Sequence, residues 1–263
     1  MWGRIMEVDI GGMKIKYPEL TVEFNESFDM DTTPLVSEIK LYNLSDNSIA
    51  AILQEKTVTV NAGYQDTGLF CISKGELRQA FTKFEERDKI TTLRTLNISP
   101  DINALYMKTY SKGTLLEAIF TDLLKRSGVN ITTFQIPSIR LPKAYHLKGK
   151  KVDLLKKLCK EFGINMTIDN TGLTQIGKAG SLGEDTGYLL KAETGLIGSP
   201  VPVIDEEGLL KYEVKSMFLP GIKALSKLRI ESKTLTGNVR VISGSHDLSK
   251  DKWLTSLEVE TLV

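Results

Sequence analysis

Apolar and polar residues alternate one by one along both ends of this chain, and the clearest alternation lies between residues 209 and 260. Segments 210–217, 227–232, 238–243 and 253–260 each read as a short strand, with turns predicted at Pro220-Gly221 and Thr236-Gly237-Asn238. In the first, Tyr212, Val214 and Ser216 share one face, and Lys211, Glu213 and Lys215 share the other. In the second, Leu228 and Ile230 oppose Arg229 and Glu231. Period two with turns between is the pattern of half-buried strands. A meander of this kind needs a second sheet, or its own closure, to cover its apolar face.

The N-terminal part, up to about residue 99, has the same texture. Segments 5–10 and 13–15 flank Gly11-Gly12, a dipeptide suited to a tight hairpin. Segment 20–28 sets Leu20, Val22 and Phe24 against Thr21, Glu23 and Asn25, and 37–45 continues the alternation. Ser45 then offers a cap for a short helix across Ile49, Ala50, Ile52 and Leu53. With 57–64, 68–73, 74–84 and 89–98 the count reaches about eight strands, enough for a barrel or sandwich.

After Pro100 the period changes to that of a helix. Leu115, Ile119 and Leu123, with Leu116, Phe120 and Leu124, predict a helix over 114–126 stopped by Gly128. A second helix is predicted over 151–162, with Val152, Leu155, Leu158, Cys159 and Phe162 on one stripe, Lys156, Lys157 and Lys160 on the other, and Gly163 at its end. Short strands at 164–168 and 173–176 follow, joined by a turn at Asn170 and Gly172. Residues 177–208, rich in Gly, Ser, Asp and Pro, read as a connector.

The 263 residues suffice for a substantial core in one large or two modest domains, and two is the working count. The formal net charge of +1 gives no global field toward nucleic acid or an anionic surface. There is no apolar run long enough to span a bilayer, and the first residues carry no secretory signal pattern, so the expected place of folding is a cytoplasm. Cys71 and Cys159 have no cysteine near either of them, which predicts two buried free thiols and neither a metal site nor a disulfide framework.

Candidate chemistry is sparse. His246 sits in Ser243-Gly-Ser-His-Asp247, but adjacent residues cannot form a triad, so His246 reads as a loop or strand-end histidine, and His146 likewise. The acidic pairs Asp29 with Asp31, Glu85 with Glu86, and the run Asp205-Glu206-Glu207 read as solvated loop charge; nothing selects one pair for glycoside hydrolysis. Lys148, Lys150, Lys151, Lys156, Lys157 and Lys160 read as a solvated face, because the interleaved aromatics of a single-strand binder are missing. Gly11-Gly12 is not followed by Gly-Lys-Ser or Gly-Lys-Thr, so it is no phosphate loop. The sequence therefore gives no catalytic, metal or cofactor site.

Several passages nevertheless resemble a known family. They are Phe28-Asp29-Met30-Asp31 leading into segment 37–45 with Asn43, Val60-Asn-Ala-Gly63-Tyr64, Tyr110-Ser-Lys-Gly-Thr114, and segment 147–177. Gly195-Leu-Ile-Gly-Ser-Pro200, Val214-Lys-Ser-Met-Phe-Leu-Pro220 and Arg240-Val-Ile-Ser-Gly-Ser-His246 with Trp253 complete the set. In that order they resemble the baseplate or tail hub proteins of contractile-tailed bacteriophages and phage-derived bacteriocins, the group that includes the late control D proteins.

The resemblance implies a mainly β fold with an α/β insert: two tail-tube-like β-barrel domains flanking a small LysM-like element. Its expected boundaries are a first barrel at 1–99, a helical connector at 100–145, the LysM-like element at 146–180, and a connector with second-barrel strands at 181–263. It implies a homotrimer whose barrels form a pseudo-sixfold ring between the hexameric tail tube and the trimeric spike, assembled in the bacterial host with other baseplate proteins. It implies no membrane anchor, no specific nucleic-acid binding and no cofactor. Closure of such a ring removes exposed strand edges. Some hubs carry a lysozyme or peptidase domain; the last predicted strand runs to the final residues, so any wall hydrolase is expected on another chain. Asp31, Asn43, Gly63, Tyr64, Gly195, Pro200, Pro220, His246 and Trp253 carry over as structural markers. A second reading makes the LysM-like element a peptidoglycan-binding module, and a third makes the protein a glycosidase.

Overall fold

The computed structural model describes residues 3–30, 35–97, 100–125, 129–178, 181–204 and 208–262. Asp31, the helix stop expected at Gly128, and Asp205, Glu206 and Glu207 lie outside the described residues.

The fold is mainly β, in three groups. The first comprises β1 (Arg4–Ile10), β2 (Met13–Tyr17), β3 (Val22–Phe28), β4 (Val36–Tyr42), α1 (Asp46–Ile52), β5 (Thr57–Tyr64), β6 (Gly68–Glu85) and β7 (Asp88–Leu96). The middle group is β8 (Leu105–Tyr110), α2 (Leu116–Leu124), β9 (Asn130–Phe134), β10 (Tyr145–Lys150), α3 (Lys151–Phe162), β11 (Asn165–Ile168) and β12 (Leu173–Gly177). The last is β13 (Asp185–Leu190), β14 (Leu196–Ile204), β15 (Leu210–Met217), β16 (Lys227–Glu231), β17 (Thr236–Leu248) and β18 (Trp253–Thr261).

Local chemistry explains many of these boundaries. Gly11 and Gly12 both take positive φ, as the two-residue hairpin between β1 and β2 requires. Ser45 caps α1, its Oγ accepting from the Ser48 N–H at 3.1 Å. α3 ends at Gly163, which adopts the left-handed conformation at φ 63°. At the start of the same helix Lys151 is buried, and its ammonium donates to the Lys125 carbonyl beyond the end of α2, where the helix dipole favours a cation. Lys151 therefore leaves the solvated lysine face expected from the sequence.

Other elements differ from expectation. Segments 68–73 and 74–84 are one strand of 18 residues, β6. The expected connector 177–208 contains β13 and β14; Pro200 and Pro202 hide β14 from a sequence reading, yet β14 sits at the border of its sheet, where proline is tolerated. The turn expected at Thr236-Gly237-Asn238 falls earlier, where the Ser232 N–H donates to the Leu235 carbonyl and the Ser232 hydroxyl accepts from the Leu235 N–H; Leu235 is buried, and β17 starts directly after it. Cys159 is a buried free thiol, but Cys71 is exposed on β6, at a position where the strand leaves the core.

Two closed barrels are not what the pairing shows. The strands of the first and last groups follow one open path, β14-β15-β18-β17-β3-β4-β7-β6-β5-β1-β2, with β16 attached to β17 and β13 to β16, while the middle group forms two small sheets, β10-β8 and β11-β12-β9. The link is β17, whose first part pairs with β16 and whose second part, from Gly244 to Leu248, pairs with β3. A register shift between Val241 and Ser243 lets this 13-residue strand bend from one group to the other.

Three hydrophobic cores result. The first group encloses Met6, Phe24, Ile39, Val60 and Leu93, and takes in Phe218, Leu248 and Trp253 from the last group. The last group has its own core around Leu190, Val214, Ile230, Val241 and Val259, which includes Phe28 of β3. The middle group buries Ile102, Leu116, Phe120, Leu147, Leu155, Met166 and Ile176 together in one core.

Candidate functional site

The chemistry of interest lies where the three groups meet. Its centre is Phe218, just past β15, fully buried in an apolar run that breaks the period-two pattern after Met217. Its ring lies 6.2 Å from Tyr64, 5.1 Å from His246 and 5.9 Å from Trp253, the last two edge-on, the geometry aromatic pairs prefer. The backbone is held as well. The Tyr64 hydroxyl donates to the Phe218 carbonyl at 3.1 Å, and the Phe218 N–H donates to the Trp253 carbonyl at 2.8 Å. Burial pushes the Tyr64 phenol up to about 12, so it stays a donor.

Three of the sequence markers thus converge on one residue that the sequence reading did not single out. The remaining described markers act locally, through backbone conformation, close approach or single hydrogen bonds. Asn43 has φ 57°; its side-chain amide donates to Asp88 and its Oδ1 accepts from the Lys89 N–H, fastening the end of β4 to the start of β7. Gly63 has no room for a Cβ, which would sit 1.8 Å from the Gly68 carbonyl oxygen. Gly195 takes φ 109° and accepts the Met217 N–H, while the carbonyls of Pro200 and Pro220 accept from Thr234 and Tyr188.

His246 is neither a loop nor a strand-end residue: it lies inside β17, paired in register with Glu26 of β3, and is buried. Its Nδ1 shares a 3.0 Å hydrogen bond with the Thr255 hydroxyl, and its ring packs 5.0 Å from Phe28. Removal from water lowers its pKa to about 4, so the imidazole is neutral. His146, by contrast, is exposed on β10 beside Thr109.

Glu26 is the unexpected member. It is 1% exposed, in a strand where period two correctly places it on the inward face with Phe24 and Phe28. The hydroxyls of Ser37 and Ser73 both donate to its Oε1, while Oε2 receives no hydrogen bond. Burial pushes its carboxyl up to about 7 against the opposing effect of those hydroxyls and of the Asn170 side chain, with Asp169 adding a smaller push in the same direction as burial.

The α/β group docks on this spot through the turn between β11 and β12. The Asn170 carbonyl accepts the Lys74 N–H of β6 at 2.9 Å, its amide donates to the Ser27 carbonyl of β3, and its Oδ1 receives the Asn97 amide at 3.4 Å. Beside it, Asp169 Oδ1 accepts from the Thr171 and Leu173 N–H groups, and Oδ2 from Lys223 at 3.0 Å, which ties the turn to the last group. A cavity of about 220 Å³ lies between these parts, lined by Phe28, Ile72, Asp169, Asn170, Lys223 and His246 among others.

This arrangement couples three structural units mechanically. Its one imidazole is neutral and already hydrogen bonded, and the Asp169 carboxylate is held by several donors. Among the described residues no group of three or more His, Cys, Asp or Glu side chains is placed to hold a metal ion, and no helix is long and apolar enough to cross a membrane.

No family model matches the sequence, and no curated protein matches it. Solved structures do match in fold. The 43 kDa tail protein of prophage MuSo2 from Shewanella oneidensis superposes with a TM-score of 0.71 at 10% identity, over 98% of this chain and 97% of that one. A tail protein from Neisseria meningitidis MC58 gives 0.70 at 10% identity, over 98% and 96%. The chain has the fold of phage tail proteins. The E. coli c3393 protein, described as a component of the type VI secretion system with structural similarity to the T4 tail proteins gp27 and gp5, gives 0.69 at 10% identity, over 97% of this chain and 77% of that one.

Proposed function

We propose that this protein is a structural component of a contractile phage tail or phage-derived bacteriocin, acting as the baseplate hub: three copies form a ring that adapts the hexameric tube to the trimeric spike. The observation that carries this reading is the tail-protein fold over essentially the full length of both chains. Three features are consistent with a part that works by shape. The continuous sheet couples the first and last strand groups rigidly through β17. The borders of the large sheet resist open-ended strand addition, with Lys14 and Lys16 on β2 and Pro200 and Pro202 on β14. The β14–β15 hairpin keeps Val201, Ile204, Leu209 and Leu210 exposed, apolar surface that suits burial against another subunit.

The test is the solution mass, by light scattering on a sizing column. A particle near three times 29.3 kDa supports ring formation by the chain alone. If the chain is monomeric, adding candidate spike protein should assemble it; failure of both refutes the hub reading. The peptidoglycan-binding alternative has no supporting observation here, and sedimentation with purified peptidoglycan checks it directly.

A further inference from the structure

We propose that the tip of the β6–β7 hairpin of one copy of this chain docks on the outer face of the β8–β10 pair of the next copy. Phe84 seats between Leu105 and Met107, while Glu85 and Glu86 face Lys148 and Lys150. The contact rests on the ring reading above and names two surfaces that join its subunits. Strand register places the first of them. β8 and β10 pair with Leu105 opposite Lys150 and Met107 opposite Lys148. Period two turns these four side chains to one face, while Tyr110 and Leu147 turn to the other and join the core of the middle group. The outer face is thus an apolar row on one strand beside an ammonium row on its neighbour, in a sheet only two strands wide. Leu105 is 84% exposed and Met107 69%, and among the described residues Lys148 and Lys150 form no ion pair.

The second surface belongs to the first strand group. β6 runs for 18 residues, and its far end from Lys83 onward is exposed. There Phe84 is 81% exposed; Phe84 and Leu105 are the two most exposed large apolar side chains among the described residues. Glu85 and Glu86 follow Phe84, exposed and in no ion pair with a described residue, and with Asp88 they outweigh Arg87 in the turn. Lys83 is turned to the opposite face of the hairpin, over the Phe81 ring at 5.4 Å. The tip is exposed and yet held. The Asn43 side-chain amide donates to Asp88 at 2.8 Å, the Lys89 ammonium pairs with Asp46 at 2.9 Å, and the Thr82 and Thr91 hydroxyls share a 3.0 Å hydrogen bond. An aromatic side chain on a fixed hairpin has little freedom to lose on docking, which makes it an effective anchor.

The two surfaces match in kind and in sign. Apolar groups meet at the centre and acid meets base at the rim, the arrangement that fixes register and rejects wrong partners. Neither surface covers the other within one chain, since Phe84, Leu105 and Met107 all stay exposed. A ring of three copies needs a heterologous contact, in which two different patches of the same chain meet. Each copy offers one hairpin tip and one β8–β10 face, so the ring uses every tip and every face.

The experiment is photocross-linking with p-benzoylphenylalanine in place of Phe84, an aromatic group that keeps the anchor. It is done on the particle that light scattering shows to be trimeric, from the chain alone or with candidate spike protein. Irradiation should give covalent dimers and trimers, and peptide mapping should place the link in segment 105–110 or 145–150 of another copy. Lys148→Glu with Lys150→Glu should cut the cross-linked fraction about tenfold or more, because like charges then face each other. Adding Glu85→Lys with Glu86→Lys to that variant should restore it, and this rescue separates charge matching from damage to the fold. A link that is absent, maps elsewhere, stays within one chain or reaches a different protein overturns the proposal, as does charge reversal without effect. In each of those cases a trimeric mass leaves the ring reading standing on other surfaces. A chain that stays monomeric with and without spike ends both.

Discussion

Trp253 opens the last strand of the chain, yet its side chain is 1% exposed within the core of the first strand group. Replacing it with alanine tests whether the two ends form one cooperative structure. The indole packs against Phe218 at 5.9 Å and Tyr17 at 5.8 Å, with the Arg4 guanidinium over its face, and rigid sheet on either side leaves little room for collapse. A cost toward the upper end of the usual range for Trp→Ala, about 3–5 kcal/mol, is expected. At roughly 2–4 °C per kcal/mol for a protein of this size, Tm should fall by around 10 °C. Trp253→Phe separates volume from chemistry. The Nε1 group is buried with no hydrogen-bond partner, so phenylalanine removes an unmet donor along with one ring, and its cost should stay below about 2 kcal/mol. Calorimetry gives the stabilities, and hydrogen exchange locates them: in Trp253→Ala, protection should drop in β1 and β5, far away in sequence, and not only in β17 and β18. A melt that splits in two with the N-terminal strands unaffected, or a loss under 1 kcal/mol, would sink the idea that the ends are one unit.

Further outcomes follow from the seam. His246, held neutral with a pKa near 4 against an ordinary 6.5, makes stability fall as pH drops through that interval, because only the unfolded chain takes up the proton. Glu26, raised from 4.5 to about 7, makes stability fall as pH rises through its own interval. The two slopes oppose each other, so urea midpoints of the wild type should be nearly flat from pH 5 to 6.5, whereas His246→Gln should lose stability over that range as the Glu26 slope stands alone; a flat variant refutes the assignment. Gly244→Ala places a Cβ 2.6 Å from the Ser256 carbonyl and 2.7 Å from the Phe28 ring at the β17–β3 seam, and should cost about 1–3 kcal/mol in chemical denaturation, a neutral result counting against that packing. Gly163→Ala forces a left-handed residue at the end of α3 and should cost roughly 1–2 kcal/mol by the same assay.

Local structure was legible where a single element decides it. The strands at 57–64 and 210–217, the helix at 151–162, the Ser45 cap and the Gly11-Gly12 hairpin all follow from side-chain period and from residues with one conformational use. Where two elements share the decision, the sequence was silent. β14 looks like a connector because its prolines are acceptable only at a sheet border, and a border is a property of the assembled sheet. The two expected barrels become one open path because β17 pairs with β16 and with β3 in succession, and long-range pairing leaves no trace in local alternation.

The candidate site follows the same division. Period two places Glu26 on an inward face, and the apolar break after Met217 marks Phe218 as unusual. Neither signal reveals that Ser37, Ser73, Asn170 and His246 surround the carboxyl, since those residues come from four separate elements. Composition and period determined that this chain would be a mainly β protein with an α/β middle and no obvious chemistry. Only the tertiary structure decided that a glutamate, a histidine and an aromatic cluster would share one buried junction, because burial and the pKa it imposes depend on what packs around a residue, not on its neighbours in the chain.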